Sequence, residues 1–82
     1  MTEMIDPAGN SIIKGTATII AGNTEVVVTH TLGNVPSIVL FAPEDVYGIN
    51  AYAPSGDWTT TSFKIYIPNA QPVDAVFRQG VS

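Results

Sequence analysis

One stretch near the centre of this chain, in which polar and apolar side chains alternate, most constrains how it can fold. From residue 25 to residue 32, one set of alternate positions is mainly polar (Glu25, Val27, Thr29, Thr31) and the other mainly apolar (Val26, Val28, His30, Leu32). A period of two is typical of a half-buried β-strand, because successive side chains of a strand point to opposite faces. The second set is therefore predicted to face the core.

Further strand-forming segments follow at short intervals. Ser11–Ala21 is rich in Ile and Thr, and the Gly22-Asn23 pair after it is a turn signal of the kind that joins two strands in a hairpin. A short strand around residues 49–53 is also predicted. The other predicted strands are Thr24–His30, Ser37–Ala42, Ser62–Ile67 and Val73–Gln79. No segment combines a helical period with capping residues, so we predict an all-β fold, a small antiparallel β-sandwich or barrel of five to seven strands.

Turn-forming residues separate the beginning of the chain from these strands. Asp6-Pro7-Ala8-Gly9-Asn10 is dense in residues that favour turns. We therefore predict a flexible N-terminal arm over residues 1–10 and a single β-sandwich domain over residues 11–82. Met4 and Ile5, the apolar residues of the arm, are predicted to dock on a neighbouring subunit; a frayed terminus is the alternative.

The small size of the chain favours assembly with other copies. A domain of 82 residues has a thin margin of stability, and such scaffolds usually rely on disulfides, metals or oligomerisation. The chain has no cysteine and one histidine, which excludes disulfides and thiolate metal sites. Only 12% of the residues are charged, against about 25% in an average soluble domain. Subunit contacts would cover uncharged surface, although a surface rich in Thr, Asn and Ser can also remain exposed.

Two further features suggest where such contacts would lie. Ser37–Ala42 is the most apolar of the predicted strands, which favours a strand that is covered on both faces, with the core on one side and a subunit or loop on the other. Val27 interrupts the polar face of its strand. The predicted interface residues are Met4, Ile5, Val27, Val39 and Phe41.

Charge and hydropathy argue against several classes of partner. The net charge is −4, and the three basic residues Lys14, Lys64 and Arg78 are too scattered to bind a phosphate backbone. No apolar run approaches the roughly 20 residues that span a bilayer. The first ten residues have no basic region before an apolar run, so they do not form a signal peptide. We expect no nucleic acid or membrane partner.

Catalytic and metal-binding signals are weak. His30 is the one candidate general base near neutral pH, and its inward position favours a structural histidine that is hydrogen-bonded to the backbone. Ser37 and Ser62 lack the context of a catalytic nucleophile. Glu44 and Asp45, with Asp57 or Asn50, offer oxygen ligands for Ca²⁺ but match no known calcium loop, so solvated loop acids are favoured. We predict no enzyme activity, cofactor or metal.

Three aromatic residues lie in or beside the longest irregular segment, residues 43–57. Tyr47, Tyr52 and Trp58 suit three roles: capping the open end of the core, anchoring a protein interface, or stacking on a ligand such as a glycan. The sequence favours the first role and leaves the others open.

The segment from Ala21 to Ser37 resembles a pattern found in virion proteins of tailed bacteriophages, in which an AG-x-T-x-V-x-V-T-H-x-L strand precedes a proline. The later parts of that pattern match Ile38 to Pro43, Gly56-Asp57-Trp58, Thr61 to Ile65 and Val73 to Phe77. The family is similar in shape to H-type lectin domains and supplies trimeric β-sandwich modules to tail fibres, appendages and capsid-decorating proteins.

This resemblance implies a homotrimeric minor virion subunit that cements or decorates a capsid, or belongs to the neck or tail. The expected partners are copies of itself and the major capsid or tail protein. Its expected location is the virion, after assembly in the host cytoplasm. The alternative is a glycan- or receptor-binding module of a phage fibre or appendage, with Tyr47, Tyr52 and Trp58 as the binding residues.

Overall fold

The computed structural model describes residues 2–5 and 11–82, with side chains for residues 13–82. This part of the chain contains six strands, two short 3-10 helices and no α-helix. The elements are β1 (Thr2–Ile5), β2 (Ser11–Ile19), β3 (Glu25–Thr29), β4 (Val39–Pro43), η1 (Val46–Gly48), η2 (Ser55–Asp57), β5 (Ser62–Tyr66) and β6 (Ala75–Val81). The prediction of a small antiparallel all-β fold is confirmed.

The strands form two antiparallel sheets. The large sheet has the order β1-β2-β6-β4, and the small sheet consists of β3 and β5. The last strand of the chain, β6, therefore lies at the centre of the large sheet, between β2 and β4. Residues far apart in sequence thus form most of the pairing.

The prediction that Gly22 and Asn23 join two strands in a hairpin is wrong. Gly22 has a φ of +87°, and the Asn23 N–H donates to the Ile20 carbonyl at 2.9 Å, so a turn does form there. However, it carries the chain from the large sheet to the small sheet, because β2 pairs with β1 and β6 while β3 pairs with β5. Turning into the opposite sheet lets the apolar faces of β2 and β3 bury each other.

The core lies between the two sheets. The large sheet supplies Ile19, Ala75, Phe77 and Val81, and the small sheet supplies Phe63 and Ile65; all are essentially inaccessible to solvent. Burial of each large apolar side chain contributes about 1.5–3 kcal/mol. The alternation predicted for residues 25–32 is confirmed, since Val28 and His30 are buried while Glu25, Val27 and Thr29 are exposed.

Strand β4 lies at one edge of the large sheet and is covered on one face only. Val39 and Phe41 pack against the core, and the Phe41 ring meets that of Phe77 edge-on, with 6.1 Å between centroids. Ile38 and Leu40 remain 46% and 52% exposed. The second cover predicted for this apolar segment is not supplied by the described residues of the same chain.

The segment between β4 and β5 is compact despite its lack of strands. The Asp45 side chain accepts a hydrogen bond from the Tyr47 N–H at 3.0 Å and so caps η1. Buried Gly48 lies against the Phe77 ring. The strand predicted around residues 49–53 is reduced to an isolated bridge between Tyr52 and Tyr66.

The predicted arm, residues 1–10, includes strand β1. This strand pairs with the first part of β2, from Thr2 opposite Lys14 to Ile5 opposite Ser11. Residues 1 and 6–10 lie outside the described residues.

Candidate functional site

The face of the large sheet that points away from the core carries a shallow groove. We call this face the outer surface. Strand register places Lys14, Gly80 and Leu40 in one row across β2, β6 and β4, and Thr16, Arg78 and Ala42 in the next. Because Gly80 has no side chain, the groove opens between its two neighbours in the row. Its lining comprises Lys14, Leu40, Phe41, Ala42, Arg78, Gln79 and Gly80.

The outer surface combines uncovered apolar side chains with positive charge. Ile38 and Leu40 form its apolar part. Two of the three basic residues of the chain, Lys14 and Arg78, lie beside the groove. Arg78 Nε is 3.7 Å from Glu44 Oε2, but the Arg78 side chain is 78% exposed, so this ion pair is weak.

The predicted interface residues lie in different environments. Val39 and Phe41 are half-buried against the core, and the outward residues in and just before β4 are Ile38, Leu40 and Ala42. Because successive strand residues point to opposite faces, the exposed apolar side chains lie one residue away from the predicted ones. Val27 is 54% exposed on the outward face of the small sheet. The side chains of Met4 and Ile5 lie outside the described residues.

A second feature is a cleft between the edges of β2 and β3, which we call the edge cleft. It is lined by four consecutive residues of each strand, Gly15–Thr18 and Val26–Thr29, together with Gln79. Side chains of consecutive strand residues point to opposite faces, so a cleft that touches all of them runs along the strand edges. Within the described part of the chain, no backbone hydrogen bond joins β2 to β3.

His30, the candidate general base, is held by the backbone. Its Nε2 lies 3.0 Å from the Thr59 carbonyl oxygen, and its Nδ1 accepts from the Leu32 N–H at 3.3 Å. The ring is 7% exposed. Both ring nitrogens are thus used in structural hydrogen bonds, and Ser37 and Ser62 are not among the partners of His30.

The three aromatic residues of the long segment separate into two environments. Tyr47 and Trp58 pack against the core, and the Trp58 indole Nε1–H donates to the Ala53 carbonyl at 3.2 Å. Tyr52 is 50% exposed and stacks on Tyr66, with ring centroids 5.3 Å apart and planes at 16°. The structure therefore does not gather the three residues into one site.

Tyr66 stacks on Tyr52 and in turn binds Asp57. The sequence did not point to Tyr66 as a site residue and indicated Asp57 only as a calcium ligand. The Tyr66 hydroxyl donates to Asp57 Oδ2 at 2.7 Å, and this hydrogen bond is the main cause that raises the pKa of Tyr66 to about 12. The outward position of Tyr66 in β5 was readable from the alternation. Its pairing with Asp57 was not, because the two residues are brought together by the turn between η2 and β5.

The loop acids have separate partners. Asp45 caps η1, Glu44 faces Arg78, and Asp57 accepts from Tyr66. Across the described residues, no three side chains of the metal-ligating types lie together.

Among residues 2–5 and 11–82, no helix has the length and apolar character needed to cross a membrane. Comparisons with protein-family models, with curated proteins and with solved structures found no match to this chain. The resemblance to bacteriophage modules and the absence of enzyme activity therefore stay predictions.

Proposed function

We propose that this protein is a non-enzymatic structural subunit that assembles with copies of itself through the outer surface of its large sheet. The observation that carries the proposal is the uncovered apolar face of β4, where Ile38 and Leu40 are about half exposed. Contiguous apolar side chains on a sheet face mark interaction sites, because their burial removes apolar area from water. Gly80, between Leu40 and Lys14, has no side chain to fill the groove, which leaves room there for a partner's side chain.

The trimeric state and the place of the subunit in a virus particle come from the resemblance, which covers roughly residues 16–79. A capsid-decorating or neck or tail subunit needs a rigid, compact module that binds other subunits. The folded chain supports this proposal with a core built on paired strands and with exposed apolar side chains on a sheet face. Copies of itself and a major capsid or tail protein are the proposed partners, with the virion as its location.

Assembly is tested by light scattering coupled to gel filtration. We expect the wild-type protein to elute as an oligomer and Leu40→Asp to elute as a monomer with native circular dichroism. Val46→Asp is the matched control, because Val46 is 70% exposed in η1 and does not line the groove. A wild-type monomer at concentrations of tens of micromolar, or an unaffected Leu40→Asp oligomer, would contradict the proposal.

The virion location is tested separately by mass spectrometry of purified particles from cells that carry this gene. We expect the protein to co-purify with particles at a constant ratio to the major capsid or tail protein. Its absence from the particles would sink the virion assignment while leaving the self-assembly proposal standing.

Glycan binding is a second candidate function, favoured by the arrangement around Tyr52. The half-exposed ring of Tyr52 offers a stacking surface for the apolar face of a sugar, and the neighbouring Tyr66 carries the Asp57 carboxylate on its hydroxyl. We expect Tyr52→Ala to abolish binding on a glycan array while the oligomer remains intact. Val46→Ala serves as the control, since Val46 is an exposed apolar residue outside the tyrosine stack. Wild-type protein that binds no glycan would reject this candidate.

A further inference from the structure

Strand β2 has an edge that β1 covers only in part. The last residue of β2 that pairs with β1 is Lys14, opposite Thr2. The remaining part of β2, Gly15–Ile19, continues along β6 but has no strand of the described chain on its other side. Among the described residues, the track that β1 occupies is thus left open for about half the length of β2.

The hydrogen-bond pattern shows which backbone groups face this opening. Ile38 and Ser82 exchange both backbone hydrogen bonds. The N–H and C=O groups of the even residues of β6 therefore point to β4, and those of its odd residues point to β2. By the register of β2 with β6, the odd residues of β2 are the ones whose backbone groups bond to β6. The N–H and C=O groups of Thr16 and Thr18 therefore point into the opening.

Strand β3 presents the same kind of edge. The His30 N–H donates to the Thr61 carbonyl and the Ile67 N–H donates to the Thr24 carbonyl, so the even residues of this segment face β5. The backbone groups of Val27 and Thr29 consequently point away from β5. These two edges, five residues long on each side, border the edge cleft.

We propose that the edge cleft accepts an extended, uncharged segment from a second copy of this chain as an added β-strand. The inference rests on the proposed function, since it names the place where self-assembly adds main-chain pairing. A five-residue strand spans about 17 Å at roughly 3.3 Å per residue, which matches the open length of β2 and of β3.

The chemistry of the lining selects the occupant. The edge cleft is lined by Gly, Thr, Ala, Val and Gln, without a charged side chain, so a charged segment entering it would lose hydration without gaining a partner. A second copy of the chain offers an uncharged segment before β4, because residues 31–38 contain no Asp, Glu, Lys or Arg and lie outside the strands.

The edges differ in how they are protected. Proteins usually guard an open strand edge with charge, proline or a bulge, because unpaired backbone groups recruit other chains. The free edge of β4 ends in Pro43, which has no N–H to offer. In contrast, Thr16, Thr18, Val27 and Thr29 leave their edges unprotected. Proline thus guards one end of the β4 edge, whereas the described residues that line the edge cleft include no proline and no charged side chain.

Amide hydrogen exchange of the wild-type protein tests the inference directly. In the concentrated, assembled sample we expect the amides of Thr18 and Val27 to exchange at least about tenfold more slowly than in a diluted monomer. The amides of Val26 and Val28, which face β5, are the internal control and should change little. Fast exchange of Thr18 and Val27 in a confirmed oligomer would overturn the inference while leaving the proposed self-assembly intact.

A proline variant provides the second test. Val27→Pro removes a backbone N–H that faces the cleft and leaves the β3–β5 hydrogen bonds in place. We expect a folded protein with reduced oligomer mass, whereas Val27→Ala should assemble like the wild type. A Val27→Pro oligomer of wild-type mass would count against the inference. If Val27→Pro fails to fold by circular dichroism, the exchange experiment still decides.

Discussion

His30 Nε2 lies 3.0 Å from the carbonyl oxygen of Thr59, so one buried imidazole ties the end of β3 to the turn that precedes β5. The Leu32 N–H donates to the other ring nitrogen. A neutral ring with its proton on Nε2 satisfies both contacts. The lone histidine thus organises two loops at one end of the small sheet.

Replacing this ring should destabilise the fold. His30→Leu leaves the Thr59 carbonyl and the Leu32 N–H without their side-chain partner, at a cost of about 1–3 kcal/mol in the free energy of unfolding. Urea unfolding followed by Trp58 fluorescence measures the change. Thr29→Ala, an exposed position in the same strand, should shift the midpoint little. Equal midpoints for His30→Leu and the wild type would show that these hydrogen bonds do not stabilise the chain.

Gly48 should not tolerate a side chain. A Cβ there would lie 2.7 Å from Phe77 Cε2 and 2.8 Å from Pro43 Cβ, and Phe77 is fully buried, so neither neighbour moves easily. We expect Gly48→Ala to lower the free energy of unfolding by about 1–3 kcal/mol. Gly56→Ala is the matched control, because a Cβ at that position meets nothing within 4 Å. A thermal melt in which both variants match the wild type would contradict the close packing of η1.

The Tyr66–Asp57 hydrogen bond predicts a pH dependence at high pH. Because the folded pKa of Tyr66, about 12, lies above its ordinary value of 10.0, its stabilising contribution is present below about pH 10 and is lost as the pH rises toward 12. Ultraviolet titration of tyrosinate should show one late-ionising tyrosine. Asp57→Asn should return that tyrosine toward its ordinary pKa, whereas Asp45→Asn should leave it unchanged. An unaltered late titration in Asp57→Asn would exclude this hydrogen bond as the cause.

Asp45 should stabilise the start of η1 through its side-chain cap. Asp45→Ala removes the acceptor of the Tyr47 N–H and should cost about 0.5–2 kcal/mol. Asp45→Asn keeps an acceptor oxygen and should retain most of the stability. Denaturant unfolding distinguishes the two variants, and equal losses in both would point to charge rather than to capping.

Much of the fold was predictable from local pattern. Which alternate residues point inward within 26–30 and 63–67 follows from the sequence pattern, because a strand that buries one face must repeat with a period of two. The pairing was not predictable in the same way. Gly22 and Asn23 form a turn as the sequence indicates, but the turn does not decide which strands pair. In the fold β3 pairs with β5 in the other sheet, and β2 pairs with β1 and β6.

The candidate site was harder to predict from the sequence than the fold. The apolar run of residues 37–42 indicated a strand with two covered faces, yet alternation within such a run cannot tell which face meets the core. The structure places Phe41 on Phe77 and leaves Leu40 outward. In the same way, Tyr52 and Tyr66 belong to two different segments, and no local sequence pattern predicts that these segments lie side by side.

The sequence alone determined a short chain with few charges, no cysteine and alternating strands. These properties favour assembly with other subunits. These are properties of composition and of local backbone geometry. Only the tertiary structure decided which surfaces remain available, because exposure depends on long-range packing. The central position of β6 places Gly80 at the groove. The chain passes from the large sheet to the small sheet after β2, and this leaves the edge cleft between β2 and β3.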